Sequence, residues 1–83
     1  MAGKRTVLTV QLRRLAALLH EMRERAGISK EAVSERTGIN VTTLYRIESA
    51  QARPQRRTLT AMLDLYGIGE PQRSDALQLL VDA

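Results

Sequence analysis

From Leu8 onward, apolar residues recur at Leu8, Leu12, Leu15, Leu19, Met22 and Ala26. Alternating steps of four and three residues put all of them on one helix face, and Leu18 widens the stripe. Thr9 offers an N-cap and Gly27 a left-handed stop, so the pattern predicts a long first helix over residues 10–26. The short polar stretch 1–8 is expected to be flexible.

The rest of the chain breaks into shorter amphipathic pieces. Ser29 can cap a run from Lys30 to Thr37, which Gly38 ends after two turns. Asn40 can cap a third helix, Val41 to Ser49, with Leu44 and Ile47 on its inner side. The segment 50–55 is expected to be a loop, because Pro54 biases Arg53 away from helical dihedrals. A fourth helix over 56–66 buries Leu59, Met62, Leu63 and Tyr66 and stops at Gly67. Pro71 suits the first turn of a fifth helix over 72–82, which carries Leu77, Leu80 and Val81. The expected fold is all-α, a compact five-helix domain over residues 9–83 with tight connections.

Composition supports helices over sheet. The chain of 83 residues has no Phe or Trp and two Tyr, so its core must be aliphatic. With no Cys, disulfides, thiolate nucleophiles and Cys-based zinc sites are excluded. No apolar run approaches the roughly 18 residues that span a bilayer, and the polar N-terminus lacks a signal peptide's apolar stretch. A cytoplasmic protein with no membrane partner is expected.

Charge is distributed unevenly. Residues 1–57 carry twelve Lys/Arg against five Glu, a balance of +7, whereas residues 58–83 carry one Arg against four acids, a balance of −3. A basic two-thirds followed by an acidic end suggests a surface that faces a polyanion.

Residues 29–49 give that surface a form. Two short helices meet at Gly38, which can take the positive φ of a sharp interhelical turn. Apolar Val33, Ile39, Leu44 and Ile47 are spaced so that the second helix braces the third and leaves its outer face free. Val41, Thr42, Tyr45 and Arg46 occupy that face, one turn apart in pairs. A helix of this kind fits the major groove of double-stranded DNA. There an arginine can donate twice to guanine, threonine can bond base edges, and valine can touch a thymine methyl. Val41, Thr42 and Arg46 are therefore the expected base-reading residues, and Tyr45 can bond a phosphate or pack beside a sugar.

The stretch from Ile28 to Glu48 resembles the repressor-like helix-turn-helix family of phage repressors and xenobiotic-response-element regulators. Arg53-Pro54 and Leu63-Asp64-Leu65-Tyr66-Gly67-Ile68 look like a narrower branch, bacterial regulators that carry this domain ahead of a larger C-terminal one. The resemblance covers residues 9–82 and implies a DNA-reading domain of a transcription regulator that binds operators as a dimer. On this chain it assigns base reading to Val41, Thr42 and Arg46, and backbone contact to Lys30 and Arg53; Asn40 and Tyr45 are expected to add backbone contacts. Arg56 and Arg57 are basic additions nearby. Lys30 stands where the family usually has Gln, Thr37 where it has Leu, Ser34 where it has Ala, and Ala50 where Gly is common. The Thr37 change is expected to weaken the seam between helices two and three, and the Ala50 change to alter the exit turn.

Other chemistries find little support. His20, the only histidine, lies beside Glu21 and Glu24 and is expected on exposed helix surface. Ser29 and Ser34 have no histidine at a telling spacing, and Glu31 and Glu35 are helix-face neighbours without an apolar pocket. No enzyme, cofactor, metal or small-molecule site is expected. The alternative function is a protein-interaction module on the same fold, antitoxin-like or adaptor-like, which the acidic, Leu-rich fifth helix favours. RNA binding would call for stacking aromatics that are scarce here. A homodimer on DNA is expected, through helix five or through a C-terminal region beyond this segment.

Overall fold

The computed structural model describes residues 2–83, with side chains from Val10 onward. Five helices follow one another: α1 Ala2–Ala26, α2 Lys30–Thr37, α3 Val41–Glu48, α4 Arg56–Leu65 and α5 Gln72–Asp82. No strand occurs among the described residues. Four of the five helices fall within a residue of the boundaries expected from the pattern. The first does not: α1 begins at Ala2, so Thr9 lies inside the helix and does not cap it. The side chains of residues 1–9 lie outside the described part; the backbone over 2–8, expected to be flexible, belongs to α1.

The helix ends are set locally. Gly27 (φ 68°) closes α1 by donating to Glu24 O at 3.0 Å, while Ile28 N reaches back to Arg23 O at 3.3 Å. This paired bonding around a left-handed glycine satisfies carbonyls that the last turn leaves open. Gly67 (φ 70°) ends α4 in the same way, through Asp64 O and Leu63 O. Ser29 Oγ accepts from Ala32 N at 3.1 Å to start α2, and Asn40 Oδ1 accepts from Thr42 N at 2.7 Å to start α3. Glu70 performs the corresponding service for α5, accepting from the Ser74 backbone and hydroxyl.

The core is aliphatic, as the composition requires. Leu15, Leu19 and Met22 of α1 meet Val33 of α2, Leu44 and Ile47 of α3, Leu59, Met62 and Leu63 of α4, and Ala76 and Leu80 of α5. Tyr66 seals the cluster beside them. Helix α1 packs on α5 and α3, α2 packs on α3 and α4, and α4 packs on α5. The α1 stripe ends at Met22, because Ala26 is exposed at the point where the chain turns away. On α5 the inward positions are Ala76 and Leu80, with Leu77 and Leu79 half-buried and Val81 66% exposed.

Two of the departures named above acquire a physical reading. Thr37 donates its hydroxyl to Val33 O at 2.6 Å and accepts from Ile39 N at 3.2 Å. Its oxygen thus ties the turn between α2 and α3, a local bond where leucine would offer packing only. Ala50 takes φ 61°, so the exit turn after α3 keeps the left-handed form despite lacking the common glycine.

Candidate nucleic-acid interface

Helix α3 has two unlike faces. Leu44 and Ile47 are buried, while Thr42, Tyr45 and Arg46 are exposed and Val41 is half-buried at its start. The helix is held against the body by more than apolar packing. Glu48, in its last turn, has a side chain only 4% exposed and accepts from Arg23 Nε at 2.8 Å and from Arg23 Nη2 at 3.2 Å. Arg23 is itself buried and donates Nη1 to Ile28 O at 2.8 Å. His20 Nδ1 lies 2.9 Å from the same carboxylate, at the exposed end of the network. Burial pushes the Glu48 carboxyl up, but hydrogen bonds from Arg23 and His20 and the guanidinium charge outweigh it and hold the carboxyl below its usual value. Bonding to Glu48 raises the Arg23 guanidinium in turn, against its own desolvation.

This network is not legible in the sequence pattern. His20, expected on exposed surface, is half exposed, but its ring is bonded to Glu48. The available signal was positional. Arg23 follows core Met22 one turn after Leu19, and Glu48 follows core Ile47, so both charged residues flank the buried stripe of their helix.

The expected site residues fall into three groups. Val41, Thr42, Tyr45 and Arg46 share the outer side of α3, and the Arg46 side chain has no ion-pair partner among the described residues. Lys30, first residue of α2, places Nζ 5.7 Å from the centre of the Tyr45 ring. That cation–π contact joins the start of α2 to the face of α3. Asn40, between them, spends its side-chain oxygen on the α3 cap and keeps its amide N–H groups open.

The third group lies beyond α3. Arg53, Arg56 and Arg57 are all exposed. Arg56 and Arg57 form the first turn of α4, which has no acidic residue there and no side-chain cap from Gln55. Open backbone N–H groups and the positive end of the helix dipole therefore coincide with two arginines, a combination suited to an anion. Arg53 is differently placed, since its Nη2 donates to Leu80 O at 2.8 Å. A surface hollow bounded by Thr43, Ile47, Pro54 and Thr58 brings α3, the loop after it and the start of α4 around one edge, with Arg53 on its wall.

Two short helices joined through a left-handed Gly38 (φ 80°), the second presenting a polar, basic outer face, define a helix-turn-helix inside an all-helical domain. Residues 14–76 match the family described as helix-turn-helix domain, and the chain belongs to that family. Membership agrees with the repressor-like resemblance of residues 28–48. It makes DNA binding the general activity of the class, which is typically not enzymatic. No curated protein and no solved structure gives a significant match. No helix among the described residues is long and apolar enough to cross a membrane.

Proposed function

We propose that this chain is the sequence-reading domain of a transcription regulator and that α3 enters the major groove of double-stranded DNA. The observation that carries the reading is the division of α3: one side is fastened by Leu44, Ile47 and the buried Glu48, and the other offers Thr42, Tyr45 and an Arg46 with no ion-pair partner among the described residues. Val41, Thr42 and Arg46 read bases. Lys30, Asn40, Tyr45, Arg53, Arg56 and Arg57 meet the backbone, the last two with help from the uncapped N-terminus of α4. Reading is binding without catalysis, and the protein works in the cytoplasm, where its operator is.

One short helix selects only a few base pairs, so two copies bind a two-fold symmetric operator with half-sites about 10 base pairs apart. The exposed Val81 makes the outer side of α5 the contact favoured for the second copy. The test is selection of bound sequences from a random duplex pool, followed by titration of the winner at several salt concentrations. Three to five phosphate contacts per protomer give a log–log slope of roughly −3 to −5, doubled for a dimer. Selection of a symmetric site with a steep slope supports the reading. Absence of duplex binding, with a protein captured instead through the α5 side, would favour the interaction-module alternative.

A further inference from the structure

Arg53 stands between two hollows in the surface. The first, of about 330 Å³, is the one between α3 and the start of α4. The second, of about 440 Å³, lies between the start of α4 and α5, against Arg56, Leu77, Leu80 and Val81. Arg53 lines both. On the α5 side its Nη2 donates at 2.8 Å to Leu80 O, a carbonyl in the last turn that also accepts from Ala83 N at 3.3 Å. A guanidinium has five N–H donors in a rigid fork. Among the described residues this bond to Leu80 is the one hydrogen bond the Arg53 side chain makes, and the side chain is exposed. The positive charge also sits at the negative end of the α5 dipole, where it is stabilising.

We infer that Arg53 is a two-sided clamp that ties DNA occupancy to the order of the last turn of α5. The inference rests on the DNA-binding reading above. When duplex lies against α3 and the start of α4, a phosphate takes the open donors of Arg53 while the Leu80 bond holds. The guanidinium is then fixed from both sides, and the carbonyl end of α5 frays less. Linkage makes the effect reciprocal: whatever loosens that turn weakens DNA binding. Lysine keeps the charge at this position but lacks the fork, so it can serve one side at a time. Arg53 is therefore a positioning residue for α5 as well as a backbone contact, and its charge alone does not reproduce its effect.

Amide hydrogen exchange on the whole 83-residue chain, with and without the selected duplex, tests the clamp. In the unmodified protein, saturating duplex is expected to slow exchange of the amides of residues 80–83. Arg53→Lys is expected to bind duplex with a similar salt slope yet show no such slowing. In a double-mutant cycle, Gln78→Gly, which removes the exposed Gln78–Asp82 bond and frays the turn, weakens binding about fivefold more in the Arg53 background than in the Arg53→Lys background. Equal slowing in both proteins, no slowing in the unmodified protein at saturation, or equal losses across the cycle would overturn the clamp. Failure to bind any duplex would appear beforehand in the titration and would remove the DNA-binding reading itself, a result distinct from binding without coupling.

Discussion

Replacing Glu48 by Gln keeps the shape of the side chain that fastens α3 and removes its charge. The Arg23 guanidinium then stays buried, with a side chain 8% exposed, and its remaining counter-ion is the exposed Glu24 carboxylate at 3.8 Å. The glutamine oxygen can accept one of its two bonds, but the amide nitrogen turns a donor toward the other donors. Breaking a buried pair by removing one partner costs roughly 3–5 kcal/mol. The lower end applies here, because Arg23 keeps its bond to Ile28 O and His20, 52% exposed, turns back to water. About 3 kcal/mol is a large part of the total for a domain this small, and it lowers Tm by roughly 12–24 °C. Thermal unfolding followed by circular dichroism measures it. The double variant Arg23→Met/Glu48→Leu should recover most of the loss, since apolar replacement removes both desolvation penalties together. Acid adds a second readout. The folded Glu48 carboxyl titrates below its ordinary value of 4.5, so its stabilisation is complete above that value and disappears as the pH falls through the lower folded one. Glu48→Gln should therefore differ most from the unmodified protein near neutrality and converge with it in acid. A loss under about 1 kcal/mol would mean the pair behaves like an exposed one, and the account of how α3 is held would be wrong.

Three further substitutions separate backbone, burial and recognition. Ala50→Gly should stabilise the fold by roughly 0.5–1 kcal/mol, read as a higher urea midpoint, because relief of the left-handed strain at φ 61° exceeds the entropy cost of glycine; a lower midpoint would refute this. Tyr66 Oη is buried with no hydrogen-bond partner among the described residues, and burial pushes the phenol up to about 12, so Tyr66→Phe should be neutral or stabilising by up to about 1 kcal/mol in the same assay. A clear destabilisation would show that the hydroxyl has a partner. Arg46→Ala should cost about 1–3 kcal/mol against the preferred base and little against single-base operator variants at that position; a uniform loss across the panel would reassign Arg46 to the backbone.

The sequence is legible where a structural signal is local, the Thr9 cap apart. Ser29, Asn40 and the glycines at 27, 38 and 67 act within one turn of themselves, and those positions marked where helices start and stop. The three- and four-residue spacing of Leu15, Leu19 and Met22 carried their burial for the same reason. Legibility fails where the partner is distant. Nothing near Glu48 in sequence announces Arg23, which lies 25 residues earlier, and nothing near Arg53 announces Leu80, 27 residues later. These long-range polar bonds decide how α3 and the loop after it are held. An aliphatic core of Leu, Ile, Val and Met can be repacked at modest cost. A buried Arg23–Glu48 pair resists sliding, because a shift would break the bonds of 2.8 and 3.2 Å that Glu48 accepts from Arg23. On that basis the Arg23–Glu48 pair is expected to fix the angle at which α3 presents Thr42 and Arg46. A change at Glu48 should accordingly alter operator preference in the fraction that remains folded, whereas a core change of equal stability cost, such as Leu59→Ala, should leave preference unchanged.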